Sequence, residues 1–315
     1  MDFHDKKFIS LAILLTLALS ITAGAYLIYR AWDYWSADQA YADMEEKAVQ
    51  KLKTAERTDR YSKEIFSDDN SGKISEGGPD DGIAGHDSTS GERRKNTDED
   101  RKDRTIDGME IPDRPVIDWD VLSKSGKDIV AWLDIPALGI AYPIVQGDDN
   151  EFYLHHLPNG EYKNAGSLFM EAANSPDLTD VNTIIYGHNM DNGSMFGKFR
   201  NMTEKEYKTQ PFLWLCTKEK TCLYEMISLH ISHIDDESYT LFELIGDANL
   251  SDHTNSNVTR WIRDENQRSY IHMPIPKSSL GRIVTLSTCA SLSDERRVLQ
   301  AALVLEIARP PRQSN

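Results

Sequence analysis

The stretch Phe8 to Tyr29, FISLAILLTLALSITAGAYLIY, runs for 22 residues without a charged side chain. As a helix rising about 1.5 Å per residue it is long enough to cross a hydrocarbon core of about 30 Å. A cleaved signal peptide is the competing reading, but its apolar region covers only about 7 to 15 residues and ends at a small-residue cleavage site. Here the run continues into Tyr26, Tyr29, Trp32, Tyr34 and Trp35, aromatic residues suited to a membrane-water boundary. Residues 1–30 are therefore read as a cytoplasmic tip and an uncleaved anchor, with residues 8–29 in the bilayer. Lys6 and Lys7 precede the span and Arg30 follows it. The positive-inside rule then places the N-terminus in the cytoplasm and the bulk of this single-pass cell-membrane protein outside.

Composition changes twice behind the anchor. Residues 31–66 are rich in Ala, Glu, Lys, Gln and Met without Pro or Gly from Trp32 to Phe66, which predicts a helical stalk. Residues 67–110 turn to Asp, Gly, Ser, Lys and Arg, with too few large apolar side chains to offset the entropy of ordering. They read as a flexible acidic and polar tether that lets the outer domain reach away from the bilayer. His86 within it reads as a solvated loop residue. The remaining 111–315 is the length of one ordinary domain.

That domain reads as mainly β. Short apolar runs at Val130–Ile135, Ile140–Gln146, Ser167–Met170, Asn182–Tyr186, Leu223–Ile231, Arg282–Thr288 and Val298–Ile307 are bounded by Gly, Asn, Asp or Pro. In Leu223–Ile231 the alternation puts Leu223, Ile227, Leu229 and Ile231 on one face and Tyr224, Ser228 and His230 on the other. Helical windows interrupt the pattern at Gly197–Thr209 and Ser256–Ser269. Many short strands with few helices predict a closed barrel or a sandwich.

Charge and cysteine usage narrow the function. Lys plus Arg number 35 and Asp plus Glu 51, a net charge of −16 that disfavours nucleic acid as a partner. Three cysteines are too few for a disulfide scaffold, and their spacing offers no structural zinc site. No metal constellation is visible and no cofactor is called for. Cys216 and Cys222 flank TKEKT, and a hairpin turning at Lys218–Lys220 would set them opposite one another, so they are expected to pair outside the membrane and leave Cys289 as the free thiol.

Cys289 ends RIVTLSTC, where a strand opens onto a loop and a nucleophile can be held rigidly yet remain accessible. His188 follows NTIIYG, with Gly187 permitting the chain to turn. An imidazole is the partner a cysteine needs, because the thiolate is the reactive form and the proton must later be returned. Arg296 and Arg297 open the last strand. A guanidinium there can donate two fixed hydrogen bonds to the oxyanion formed when sulfur attacks a carbonyl. Adjacent strand residues face opposite ways, so only one arginine can serve, and the residue pattern alone leaves the choice open. His4, His155, His156, His230, His233, His253 and His272 read as ordinary structural or surface residues.

TLSTC at Cys289, YGHNM with GSMFGKF around His188, and Arg-x-Val at Arg296–Val298 resemble the signature of the sortases, the cysteine transpeptidases of Gram-positive cell surfaces. WLDIPALGIAYPIVQGDDNEFYLHH and the helix-bearing insert between His233 and Arg282 resemble the class B branch. The resemblance covers nearly the whole outer domain. It implies an eight-stranded β-barrel with added helices, Cys289 as nucleophile, His188 as general acid and base, and Arg296 as oxyanion stabiliser. It implies as partners secreted proteins bearing a C-terminal sorting motif, with a peptidoglycan-precursor amine or a pilin lysine as acceptor. A departure is Ala290, where an acidic residue often follows the cysteine in this branch, so His188 lacks an evident orienting acid. Pilin polymerases commonly carry a lid with an Asp-Pro-Trp motif; Asp118-Trp119 lacks the proline. A pilin-polymerising sortase, a membrane-tethered peptidase that only hydrolyses wall peptides and a non-enzymatic surface adhesin are the rival readings.

Overall fold

The computed structural model describes residues 3–51, 105–233, 256–289 and 294–309. Its first element, α1 (Phe3–Ala48), is one unbroken helix. It is long and apolar enough to cross a membrane, and Ile13, Leu14, Leu15, Leu17, Leu19 and Ile21 are all more than half exposed. The second half of α1 is no free stalk. Asp33, Ala37, Tyr41, Met44 and Ala48 recur at spacings of four, four, three and four, and all five are buried against the rest of the protein. The helix stops earlier than the predicted stalk: β1 (Val49–Lys51) follows, and 52–66 lies outside the described residues, as does the tether through residue 104.

The chain resumes in a small hairpin, β2 (Thr105–Ile106) and β3 (Met109–Glu110). The Asp107-Gly108 turn between them takes positive φ at both residues, 50° and 85°, the conformation a two-residue hairpin prefers. This structure occupies the end of the predicted tether. Next, β4 (Pro115–Ile117) pairs antiparallel with β1. Helix α1 is thus joined to the rest of the chain by packing and by a strand pair on either side of the 52–104 segment. Asp118 caps the short α2 (Trp119–Leu122), accepting from the backbone of Asp120 and Val121. Trp119 is buried in a cluster with Trp132 and Trp214 and forms no lid.

Eight strands close into a barrel in the order β10, β12, β11, β8, β7, β6, β5, β9. They are β5 (Ile129–Ile135), β6 (Ile140–Val145), β7 (Leu168–Met170), β8 (Asn182–Gly187), β9 (Phe212–Cys216), β10 (Lys220–His233), β11 (Ile283–Cys289) and β12 (Glu295–Ala308). Closure removes exposed sheet edges. Interior residues alternate as the pleat requires: Ala131, Leu133 and Ile135, Val284 and Leu286, and Leu299, Ala301 and Leu303 share one core. The Gly197–Thr209 window is two pieces, a 3₁₀ turn at Gly197–Asn201 and α3 (Glu204–Thr209), separated where Thr203 and Glu206 form a capping box. Across the barrel wall, α4 (Ser256–Arg268) sets Val258 and Ile262 on Ile227, Ile283 and Ala302.

Three expectations need correction. Phe212–Cys216 is a strand that the pattern reading omitted; its side chains are buried on both faces, so no polar alternation marks it. Leu223–Ile231 does not keep its simple alternation. Irregularities in the ladder at Leu223/Tyr224 and Met226/Ser228 turn Leu229 into the interior with Tyr224 and Met226, while Leu223 and Ile227 pack outside. Cys216 and Cys222 do not pair. The β9–β10 turn has two residues, Lys218 and Glu219, so Thr217 bonds Lys220 and Thr221 lies opposite Cys216. A slip of one residue flips the face. Cys222 enters the barrel interior and Cys216 the outer cluster beneath Trp119, both as buried free thiols whose pKa burial pushes up to about 12.

Candidate active site

Three neighbouring strands, β8, β11 and β12, carry the sequence-predicted residues to one end of the barrel. β8 and β11 run parallel with Gly187 level with Thr288, so His188 and Cys289 follow at the same height. β11 and β12 run antiparallel with Cys289 directly across from Arg296 and Thr288 across from Arg297. Val284, Leu286, Leu299, Ala301 and Ile185 face the core, and continuing that alternation gives positions 188, 289 and 296 the outward face. Position 297 belongs to the other. The register therefore separates the two arginines that the residue pattern left equivalent. The side chain of Cys289 and residues 290–293 lie outside the described residues. Arg296 is half-buried and donates from Nη1 to the Glu295 carbonyl at 3.1 Å; Arg297 reaches toward the Tyr270 hydroxyl at 3.5 Å.

Gly187 serves close packing rather than turning. It takes no positive φ, and a Cβ at this position would stand 2.2 Å from Leu168 Cδ2 and 2.8 Å from Phe196 Cδ2. Only the absence of a side chain lets β8 press on these two groups and deliver His188 to the rim. Beyond it, the His188 carbonyl accepts from Phe196 N at 3.0 Å.

His188 finds its hydrogen-bond partner in the backbone. His188 Nε2 lies 2.7 Å from the carbonyl oxygen of Leu154, which can only accept, so the neutral ring carries its proton on Nε2 and leaves Nδ1 unprotonated. Burial lowers the His188 pKa; the Leu154 carbonyl opposes that shift and the His155 ring, 5.8 Å away, adds to it. The ring is thus tuned toward its neutral form near pH 7. Residue-type reasoning cannot see a carbonyl acceptor, and it treated His155 as an ordinary residue. Among the described residues no group of three or more His, Cys, Asp or Glu is placed to hold a metal ion.

A barrel of this order with this strand-end arrangement defines the class of protein, and comparison with known proteins agrees. The sortase domain model matches residues 133–304, more than half of the chain. Sortase B of Listeria monocytogenes is 34% identical over 189 residues, covering 58% of this chain and 72% of that protein. Sortase B of Staphylococcus aureus is 25% identical over 190 residues, covering 59% and 74%. A crystal structure of sortase B from B. anthracis superposes with a TM-score of 0.49 at 29% identity over 59% of this chain and 83% of that one. The chain belongs to the sortase family of cysteine transpeptidases. Within it, the relatives place this enzyme in class B.

Proposed function

We propose that this enzyme is held in the cell membrane by residues 8–29, with its N-terminus in the cytoplasm and its barrel outside. There it cleaves a C-terminal sorting motif of secreted proteins and joins the acyl fragment to a peptidoglycan-precursor amine. The observation that carries the reading is the register of β8, β11 and β12, which brings positions 188, 289 and 296 to one rim on one face.

Cys289 is the nucleophile. As its sulfur bonds to the scissile carbonyl carbon, the thiol proton passes to Nδ1 of neutral His188. Arg296 donates to the oxyanion of the tetrahedral intermediate, where a planar guanidinium offers two parallel hydrogen bonds. Collapse breaks the C–N bond, and the imidazolium returns its proton to the departing amine. The thioester that remains is attacked by the acceptor amine; its proton goes to His188 and then to sulfur, restoring the thiol. Transfer to an amine conserves the energy of the cut peptide bond, while water gives the hydrolytic side reaction.

The test uses the full chain in detergent micelles with a panel of fluorescent sorting-type peptides and an amine acceptor. An amine-bearing product made by the wild type and absent with Cys289→Ala is expected. Hydrolysis that stays dominant at saturating amine would select the peptidase instead, and surface function retained by Cys289→Ala would select the adhesin.

A further inference from the structure

α1 grips the two loops that hold His188. Tyr41, buried in the second half of that helix, donates its hydroxyl to the Gly166 carbonyl at 2.7 Å and lies 3.1 Å from Ser167 Oγ. Gly166 has a left-handed φ of +54°, and a Cβ there would stand 2.2 Å from the Leu154 oxygen. The Gly166 backbone thus presses directly on the Leu154 carbonyl, the group that accepts from His188 Nε2. Ser167 fastens the same loop twice more, its N–H to Tyr153 O at 2.9 Å and its hydroxyl to His156 O at 2.7 Å. About two turns earlier in the helix, Asp33 accepts from Asn164 N at 3.0 Å and from Asn164 Nδ2 at 2.9 Å, and Lys163 stands 4.6 Å over the Trp32 ring.

The loop that follows His188 is held as well. Asp38 accepts from Asn192 Nδ2 at 2.9 Å, and Met195 N donates to the Tyr142 hydroxyl at 3.3 Å. Tyr142 in turn meets the Tyr41 ring edge to face, centroids 5.1 Å apart. Both supports of the imidazole therefore rest on one membrane-proximal helix. A buried side chain with satisfied hydrogen bonds on a rigid element is what fixes a group to within the tolerance that catalysis requires.

We infer that Tyr41 is a positioning residue for His188, so that the anchor helix forms part of the catalytic apparatus as well as the attachment to the membrane. The hydroxyl fixes the Gly166–Ser167 backbone, that backbone sets the Leu154 carbonyl, and the carbonyl sets the ring and its tautomer. The inference rests on the role given to His188 above, and its test is built to separate the two.

The test compares wild type with Tyr41→Phe in the full chain in micelles, because phenylalanine keeps the contact with Tyr142 and removes only the hydroxyl. A fall in kcat of about three- to tenfold with KM unchanged is expected. NMR of the His188 ring should show its titration midpoint moving further down as the Leu154 hydrogen bond weakens. Ser167→Ala, which removes the second hydroxyl on the backbone that Tyr41 holds, should move the same midpoint less and in the same direction; it carries the test if Tyr41→Phe fails to fold. Lys47→Ala, on the solvent side of α1, should change nothing. Folded Tyr41→Phe with unchanged kcat and midpoint would overturn the inference, and so would a Ser167→Ala midpoint that stays put when Tyr41→Phe cannot be read. The titration reads His188 whether or not peptide is joined to amine: a wild type that makes no such product removes the proposed function and leaves the positioning claim to the midpoint alone.

Discussion

Cys289 and Arg296 are cross-strand partners in the β11–β12 ladder, while Arg297 sits one position on and faces the other way. Directly opposed residues on one face have Cβ atoms about 4.5–5.5 Å apart, the span a guanidinium needs to reach an oxyanion formed at its neighbour's sulfur. Arg296→Ala should therefore lower kcat by about 10²- to 10³-fold, as loss of an oxyanion donor does. Arg297→Ala should stay within a few-fold of wild type. Steady-state transpeptidation by the two variants decides it, and the reverse ranking would mean that the strand register places the wrong arginine at the site.

The pH dependence follows from His188. Its pKa is lowered by burial, so the neutral ring, to which the proposed mechanism gives the thiol proton, is already the main form at pH 7. Activity should rise with pH through a midpoint below the usual histidine value of about 6.5 and level off by neutrality. The same shift affects folding. The unfolded chain binds this proton more readily, so the contribution is fully present above the unfolded pKa and is lost as pH falls through the folded one. Profiles of kcat/KM and of thermal midpoint against pH, for wild type and His188→Gln, check both; an acid limb above 6.5 contradicts the assignment.

Much of this architecture was legible in the residues, and what was not has physical reasons. Runs such as Ile140–Gln146 and Arg282–Thr288 announce themselves by β-branched content and bounding turn residues and coincide within a residue with β6 and β11, and TLSTC with YGHN points to the family. Phe212–Cys216 is apolar on both faces because one side fills the barrel and the other lies under Trp119, which erases the period-two signal. The docking face of α1 was in view as Ala37, Tyr41, Met44 and Ala48, but helix propensity hides such a stripe when attention is on composition. The support of His188 by Leu154 comes from a main-chain oxygen, and no side-chain pattern encodes that.

Gly187→Ala tests the close packing behind His188. The added methyl would meet Leu168 Cδ2 and Phe196 Cδ2 well inside contact distance, and overpacking of this sort costs about 1–3 kcal/mol. Denaturant unfolding should show that loss together with reduced kcat. Adding Leu168→Ala should recover part of the stability that Gly187→Ala removes, a non-additivity expected only if the two groups compete for one space.

Thiol counting distinguishes free cysteines from a bridge. Cys216 and Cys222 are fully buried on opposite faces, with pKa values near 12, so neither should react with an aromatic disulfide reagent in the folded protein. Unfolding without reductant should release three thiols. A count of one would mean that the β9–β10 register slips and the pair closes.

Glu225 provides a last test, remote from the chemistry. It is buried on β10, and burial, with a smaller contribution from the Asp107 charge, raises its pKa to about 7. The unfolded chain ionises this group near the ordinary carboxylate value and the folded one only near neutrality. Stability is therefore intact at low pH and declines as pH rises toward and past 7. Glu225→Gln removes the ionisation while keeping the shape. The variant should match wild type near pH 4.5 and be more stable by about 1–3 kcal/mol at pH 8, the size a shift of this order implies. Urea unfolding at the two pH values measures the difference, and a variant no more stable at pH 8 than at pH 4.5 would show that water or a cation already compensates the buried charge.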